Sequence, residues 1–414
     1  MKVFIINAVP YGSTGKIMFS ISEMLLSGGD ESICATGYSW HKCDKKEHYL
    51  IGNIFSKSFH MYMSRLFGNH GCYSLITTDR LIKKIKAFSP DLIHLHNVHG
   101  WYLHIPKFFE YLKESGIPIV WTLHDCWAFT GGCSHFTFCG CGKWMNGCGG
   151  CNNLGPYPIS SKIDRTQKMW QLKKKCFCGF HNMVVVTPSQ WLADLVGRSY
   201  LQQYPIRVIP NGIDIEIFQP RSSDFRKRQG IRENQHMVLG VSLGWNERKG
   251  LDVFIELAKR LPHNYKIVLI GTDENVDKSL PENIISIHRT YNQTELAEIY
   301  SAADIFVQTT REENYPTVNM EAIACGTPVL TFNTGGSPEM LDETCGSVVD
   351  CDDIDALEKE IVRICSQTPY SEEQCVLKSR EFDQNKRFKE YIKLYETVII
   401  PRDQADRAGS LEKI

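Results

Sequence analysis

Short apolar segments alternate with helical segments along this chain, and the alternation starts again in its second half. The apolar segments are rich in β-branched residues, as buried strands of parallel sheets are. Strands that alternate with helices form parallel sheets with helices on both faces. The pattern therefore predicts an α/β fold of two doubly wound, Rossmann-like domains facing a central nucleotide cleft. The predicted strands are residues 3–9, 91–97, 117–124 and 183–187, then residues 236–242, 265–271, 284–288, 305–309 and 329–333.

The restart near the middle of the chain sets the predicted domain boundaries. The first domain spans residues 1–205 and includes a cysteine-rich loop at 126–160, and the second spans residues 206–380. Residues 381–414 are predicted to form a terminal helix and a polar tail. A chain of 414 residues with 43% hydrophobic content is long enough to build two separate cores.

Charge and hydropathy exclude several partner classes. The formal net charge of −1 gives no reason to expect nucleic acid as a partner. No run of about 18 apolar residues is present, and the apolar segment at residues 1–7 is too short for a signal peptide. We therefore expect a cytoplasmic protein, in which the 16 cysteines do not form a disulfide framework.

Glu313 and Glu321 form the most informative local pattern, with seven residues between them. Pro316 suits the first turn of a helix, so Glu313 lies in the loop after the predicted strand 305–309 and Glu321 lies inside the helix. Open α/β sheets bind ligands at such strand ends, and carboxylates accept hydrogen bonds from vicinal hydroxyls. The alternative is an acid favoured by the helix dipole and a solvated helix residue, but the apolar neighbours of Glu321 weaken it.

The segment from Glu313 to Val329, with its Ala-x-Ala-Cys-Gly-Thr-Pro-Val ending, resembles the two-glutamate signature of glycosyltransferase family 4. The resemblance implies a GT-B fold and retaining transfer from a UDP- or GDP-linked sugar, without a metal for the chemistry. It implies that Glu321 holds the ribose hydroxyls and that Glu313 holds the sugar or its phosphate-proximal side. Asn314 is assigned to the donor site with them. It also implies a terminal helix that crosses back to the first domain.

Gly12 and Gly15 lie in a turn between the first predicted strand and a helix. The turn is not a Walker A loop, because Pro10 stands where that motif has its first glycine and Ile17 follows Lys16. A helix N-terminus can receive an oxyanion, and in the resembled family this loop approaches the donor diphosphate. A plain tight turn explains the two glycines equally well.

Cations and a second glycine turn in the later half suit a diphosphate. Lys249 matches the family's lysine, whereas the family's arginine position holds Trp245, and Arg248 is the residue that could replace it. A cation there would stabilise the departing nucleotide, and the alternative is a solvated basic helix start. Gly335 and Gly336 resemble the family's phosphate-cradling loop.

His124 falls at the carboxyl end of a predicted strand and matches the family's histidine beside the transferred sugar and the acceptor. An imidazole there could orient a hydroxyl near neutral pH. His94, His96 and His99 come from a neighbouring segment. A structural or acceptor-lining role suits them better than a metal site, because no further ligand accompanies them.

The cysteine-rich loop needs its own explanation. Cys133, Cys141, Cys148 and Cys151 are spaced closely enough for a structural zinc site, and a similar ending of this motif occurs in a polysaccharide-biosynthesis branch of the resembled family. A closed site of four sulfurs would brace the loop rather than catalyse. Free or redox-labile thiols remain the alternative.

A basic and aromatic stretch at residues 168–177 suggests peripheral contact with the inner membrane face, against the alternative of a solvated surface helix. Relatives in the resembled family often extend lipid-linked acceptors there. The predicted function is a retaining glycosyltransferase of cell-surface polysaccharide biosynthesis, acting on a glycan or polyprenyl-linked acceptor. Two alternatives are a non-catalytic partner subunit of the same fold and a nucleotide-sugar epimerase.

Overall fold

The structure, a computed structural model, describes residues 1–39, 47–152, 154 and 163–399. The chain divides into two compact units. Unit 1 is Met1–Ile209 together with the chain from Phe388 onward, and unit 2 is Pro210–Arg387.

Unit 1 is built on a seven-stranded sheet in which every described pairing is parallel. The strand order is β3-β2-β1-β4-β5-β6-β7, so the order reverses direction between β1 and β4. Doubly wound sheets bind ligands at the carboxyl ends of strands at such a reversal. The strands are β1 Lys2–Asn7, β2 Glu31–Thr36, β3 His48–Leu50, β4 Leu92–Leu95, β5 Ile119–Thr122, β6 Met183–Thr187 and β7 Ile206–Val208.

Helices cover both faces of this sheet. Phe4 and Ile93 point into one core, and Val3 and Val120 point into the other, as alternation along a strand requires. The helices are α1 Gly12–Ser27, α2 Ile54–Phe67, α3 Leu75–Phe88, α4 Ile105–Ser115, α5 Thr166–Phe177 and α6 Gln190–Val196.

Unit 2 repeats the design with six parallel strands in the order β10-β9-β8-β11-β12-β13. The reversal lies between β8 and β11. The strands are β8 His236–Val241, β9 Tyr265–Ile270, β10 Ile284–Ile287, β11 Ile305–Gln308, β12 Val329–Phe332 and β13 Gly346–Val349.

Helices again cover both faces of the unit 2 sheet, with one core on each side. They are α7 Phe225–Arg228, α8 Leu251–Arg260, α9 Glu274–Asp277, α10 Gln293–Ala302, α11 Thr317–Ala324, α12 Ile354–Gln367, α13 Glu372–Ser379 and α14 Gln384–Ile399. The last helix, α14, starts in unit 2, and its buried Phe388, Tyr391 and Tyr395 pack with Val3 and Val120 of unit 1. The predicted α/β class with two doubly wound domains is confirmed.

Candidate active site

Lys249 and Glu313 meet where the strand order of unit 2 reverses. Lys249 ends a short 3₁₀ turn after β8, and Glu313 lies in the loop after the neighbouring strand β11. The Lys249 Nζ lies 2.7 Å from Glu313 Oε2, and about a fifth of each side chain is exposed. Two residues that the sequence assigns to the donor site are therefore in direct contact at a ligand-binding edge of the sheet.

Backbone contacts fix the lysine loop against the end of β11. Arg248 accepts a hydrogen bond at its carbonyl from the Arg311 N–H at 3.0 Å, and its guanidinium donates to the Glu312 carbonyl at 3.3 Å. The Thr309 hydroxyl donates to the Lys249 carbonyl at 3.2 Å. Gly250 has a φ of +74°, and a Cβ there would lie 2.3 Å from the Thr309 Oγ1. The loop is thus held in register with the strand that delivers Glu313.

Arg311 anchors this loop from beneath and was not predicted. Its side chain is only 8% exposed and donates to both carboxylate oxygens of Asp252, at 2.8 and 2.7 Å. It also donates to Asp352 Oδ1 at 2.7 Å and to the Glu247 carbonyl. The hydrogen bond from Arg311 holds the pKa of Asp252 below its ordinary value. Arg311 therefore positions the turn that carries Lys249.

Trp245, which occupies the position of the family's arginine, is a core residue. Its indole N–H donates to the Ile270 carbonyl at 2.9 Å, and its ring packs edge-on against Phe254. The side chain is buried and does not take the place of a donor-binding cation. Arg248, beside Lys249, is the second cation of this loop.

Glu321 lies inside α11 and is 8% exposed. Its Oε2 accepts a hydrogen bond from the Tyr300 hydroxyl at 3.2 Å. Burial is the main cause that raises the pKa of Tyr300, and the neighbouring Glu321 charge adds to it. The alternative of a solvated helix residue is therefore wrong for Glu321, because its carboxylate is buried in the wall of unit 2.

Gly335 and Gly336 pack directly on the glutamate loop. A Cβ on Gly335 would lie 1.7 Å from the Glu313 carbonyl oxygen, and Gly335 has a φ of +57°. The Gly336 N–H donates to the Asn314 carbonyl at 2.7 Å. The structure therefore brings Gly335, Gly336, Glu313, Asn314 and Lys249 together.

Two buried polar side chains of unit 2 were not predicted from the sequence. The Asn319 amide, in the first turn of α11, and the Ser337 hydroxyl, just after Gly336, have no hydrogen-bond partner among the described residues. Buried polar groups are normally hydrogen-bonded. Two such groups without a described partner, close in sequence to Glu321 and Gly336, therefore suggest that a ligand binds there. The available sequence signal was an asparagine two positions before Glu321 in a helix of mostly apolar residues.

His124 of unit 1 belongs to a group of hydrogen-bonded rings. One ring nitrogen, Nε2, lies 2.9 Å from His96 Nδ1, and the two rings stack. His94 lies against His96 and contacts the Tyr395 hydroxyl through Nδ1 at 2.6 Å. Burial lowers the pKa of His124 to about 4 and that of His94 to about 3. These imidazoles are therefore neutral near pH 7 and suit hydrogen bonding rather than acid catalysis.

His99 forms a separate pair with Asp125, the residue after His124. The His99 Nε2 lies 2.9 Å from Asp125 Oδ2. Burial of Asp125 acts to raise its pKa, but the interactions with His99, together with those of His135 and the Trp127 N–H, outweigh it and lower the pKa to about 2. Asp125 is therefore ionised and fixes the segment that carries His124.

The glycine turn after β1 is fixed by Asn7. Its side chain donates to the Val9 carbonyl at 2.9 Å and accepts from the Ala8 N–H at 2.9 Å. Gly12 opens α1 with a φ of +68°, and a Cβ on Gly15 would lie 2.4 Å from the Pro10 carbonyl carbon. Tight packing thus explains Gly15. A Cβ on Gly12 would meet nothing within 4 Å, and its role in binding the sugar donor stays a prediction.

The cysteine-rich loop packs on the core of unit 1, where Cys133, Cys141 and Cys148 contact the apolar cluster. Burial raises the pKa of Cys133 to about 12, and Cys148 Sγ accepts a hydrogen bond from the Gly131 N–H at 3.0 Å. Across the described parts of the chain, no three His, Cys, Asp or Glu side chains are arranged to hold a metal ion. Zinc binding by these thiols and Cys151 therefore stays a prediction from their spacing.

The basic and aromatic stretch at residues 168–177 forms α5. Its apolar side chains Met169, Trp170 and Phe177 are buried in unit 1, and Lys173 is buried with them. The apolar side chains that membrane contact by this stretch would require at the surface are therefore packed inside the protein. No described helix is both long and apolar enough to cross a bilayer.

Comparison with known proteins shows the family to which the chain belongs. Residues 59–217 match the family model "Glycosyltransferase Family 4", and residues 222–398 match "Glycosyl transferases group 1". The chain belongs to the GT-B glycosyltransferases. The resemblance to family 4 is confirmed by these matches.

Individual relatives agree with that assignment. The putative colanic acid biosynthesis glycosyl transferase WcaC of Escherichia coli is 27% identical over 337 residues, covering 78% of this chain and 77% of the relative. Sucrose-phosphate synthase from Thermosynechococcus elongatus superposes with a TM-score of 0.69 at 16% identity, covering 96% of this chain and 98% of that one. Anabaena HepE in complex with UDP-glucose gives a TM-score of 0.66 at 15% identity, covering 96% and 100%. The two structural matches support the GT-B fold.

Proposed function

We propose that this glycosyltransferase is a retaining enzyme that moves a sugar from a nucleoside-diphosphate sugar to a glycan or lipid-linked acceptor in cell-surface polysaccharide biosynthesis. The contact of Lys249 with Glu313, at the strand-order reversal of unit 2, is the observation that carries the proposal. The name of WcaC supports the biosynthetic setting, and the UDP-glucose complex of HepE supports the donor class.

In the proposed reaction Lys249 neutralises the diphosphate as it departs. A cation fixed in advance near developing phosphate charge stabilises the transition state more than the ground state. Arg248, in the same turn, supplies the second positive charge, and the Gly335–Gly336 backbone supplies N–H donors. The unpaired Asn319 and Ser337 side chains provide further polar atoms that a donor could satisfy.

Glu313 and Glu321 are proposed to hold hydroxyl groups of the donor. Lys249 and Glu313 pair with each other in the structure described here, so the pair keeps each partner oriented until the donor arrives. The sugar hydroxyls then bind Glu313 while the diphosphate binds Lys249. No residue is proposed as a covalent nucleophile; the departing phosphate takes the acceptor proton on the same face of the sugar.

His124 is proposed to orient an acceptor hydroxyl. Because burial keeps the pKa of His124 near 4, the ring acts as a neutral hydrogen-bonding group rather than as a cation. His96, bonded to it at 2.9 Å, sets which His124 nitrogen carries the proton. Asp125 and His99 hold the same segment in place.

The test is nucleotide release by the purified chain from a panel of UDP- and GDP-sugars, with and without lipid-linked acceptors. We expect release that depends on acceptor, and an α-linked product from an α-linked donor. Conversion of the donor sugar without acceptor would identify an epimerase. Tight donor binding without any turnover, with every acceptor tried, would identify a non-catalytic subunit.

A further inference from the structure

Helix α2 of unit 1 buries polar side chains and exposes large apolar ones. Its two buried residues, His60 and Ser64, are polar, and both are fully shielded from solvent. Its outer surface instead carries large apolar side chains, with Phe55 81% exposed and Tyr62 64% exposed. We call this surface the α2 face. It consists of Ile54, Phe55, Phe59, Tyr62, Leu66 and Phe67.

The spacing of the α2 face shows that it is one continuous stripe. Phe55, Phe59, Tyr62 and Leu66 follow one another at intervals of four, three and four residues, which places them on one side of a helix. A surface helix of a water-soluble domain normally turns such a stripe toward the core. Contiguous exposed apolar surface of this kind marks an interaction site.

Hydrogen bonds on the buried side of α2 keep the α2 face toward solvent. The buried His60 lies 2.6 Å from the Ser74 hydroxyl through Nδ1, and its Nε2 accepts from the Gly71 N–H at 3.2 Å. These bonds tie the α2–α3 loop to the inner side of α2. Leu75 and Ile76, which follow Ser74 at the start of α3, are exposed as well.

The charged residues on α2 itself have one sign. No aspartate or glutamate occurs from residue 48 to residue 78, whereas Lys57 and Arg65 lie on α2 itself. Lys57 Nζ lies 5.1 Å from the Tyr38 ring centre, and Arg65 lies 5.8 Å from that of Trp101, so each cation of α2 also lies beside an aromatic ring of unit 1. Aromatic side chains between cations are typical of helices that lie in a membrane interface.

We propose that the α2 face docks unit 1 on an anionic lipid surface. Lipid headgroups neutralise Lys57 and Arg65 while the acyl boundary receives the apolar stripe. A second copy of the chain is a poorer occupant, because two copies of α2 would bring like charges together, and neither helix carries an acidic residue to balance them. This surface replaces the stretch at residues 168–177, whose apolar side chains are buried.

The docking surface adjoins the histidine group of unit 1. Arg65 packs over Trp101, and Trp101 lines a small cavity together with His70, His99 and Trp127. His99 in turn bonds Asp125, the neighbour of His124. A bilayer on the α2 face would therefore present a lipid-borne acceptor close to the segment that carries His124. The docking itself does not rest on the proposed function.

The test is flotation of the purified chain with vesicles of phosphatidylcholine alone or with added phosphatidylglycerol, without donor. We expect binding to the anionic vesicles, weakened by salt, and an about 10-fold or greater loss of partitioning in Phe55→Gln/Phe59→Gln. Arg65→Glu should weaken binding to anionic vesicles alone. The matched control is Leu377→Gln, which removes an exposed apolar side chain from unit 2 and should bind as the wild type does.

Several outcomes would overturn the proposal. They are a wild-type chain that stays with the aqueous phase, a Phe55→Gln/Phe59→Gln variant that floats like the wild type, and a dimer in light scattering that this variant dissociates. Circular dichroism and melting temperature establish that the variant is folded, since both side chains are exposed. Nucleotide release with a water-soluble acceptor should be unchanged by it, so that loss of docking and loss of transfer are measured separately.

Discussion

Replacing Gly335 by alanine tests whether the glycine turn shapes the glutamate loop. The new Cβ would stand 1.7 Å from the Glu313 carbonyl oxygen, whereas real Cβ atoms do not approach closer than 3.0 Å. The Glu313 backbone must therefore retreat by about 1.3 Å. The shift separates Glu313 from Lys249, whose side chains now meet at 2.7 Å.

A displacement of about 1 Å at a reacting group can lower a rate about 100-fold. We expect that loss in kcat/KM for Gly335→Ala, measured as nucleotide release. The positive φ of +57° adds a stability cost of about 1–2 kcal/mol, because a Cβ is disfavoured in the left-handed region. Thermal unfolding measures this second effect.

Gly230→Ala is the matched control. Gly230 also lies in unit 2 and has a φ of +67°, but a Cβ there would meet nothing within 4 Å. It should lower stability by the same conformational cost of about 1–2 kcal/mol and leave kcat/KM within about twofold. Equal activity of the two variants would refute the claim that Gly335 shapes the Glu313 loop.

Three further predictions concern protonation, the Arg311 anchor and the cysteines. Burial holds the pKa values of His124 and His94 at about 4 and 3, so only the unfolded chain gains protons as the pH falls below about 6.5. Stability should therefore drop by about 1.4 kcal/mol per pH unit for each histidine between about pH 6 and pH 4, and a flat melting profile would contradict this. Arg311→Met should lower the free energy of unfolding, measured by urea titration, by about 1–2 kcal/mol. The loss is limited because Asp252 and Asp352 are half exposed and become hydrated when the arginine is removed. A larger loss in the control Arg260→Met would argue against Arg311 as an anchor. The predicted zinc site implies one zinc ion per chain by mass spectrometry, with loss of zinc in Cys148→Ser; metal-free protein with reactive thiols would refute it.

The sequence was sufficient for the fold and for the glutamate loop because both follow from local patterns. Strands such as β1, β8 and β11 are apolar and β-branched, and their carboxyl ends fix where Glu313 falls. Lys249 was identifiable because a cation after a strand suits a phosphate. The meeting of Lys249 with Glu313 depends only on β8 and β11 being neighbours.

Contacts between residues far apart along the chain could not be predicted from the sequence. Arg311 is buried against Asp252 and Asp352, which lie 59 and 41 positions away, whereas composition alone places an arginine at the surface. The exposure of the α2 face could not be predicted from the sequence either. A helical apolar stripe predicts burial, and only the buried His60 and Ser64 show that the stripe faces outward.

Nucleotide release by Glu313→Gln and Lys249→Ala, beside the wild type and the surface control Lys259→Ala, tests the central claim most directly. Lys259 is exposed on α8 and pairs with Glu256 of the same helix, so its loss should leave turnover unchanged. The account predicts a loss of about 100-fold or more in both site variants, with folding intact by circular dichroism. Turnover like the wild type in either Glu313→Gln or Lys249→Ala would contradict the assignment of the active site.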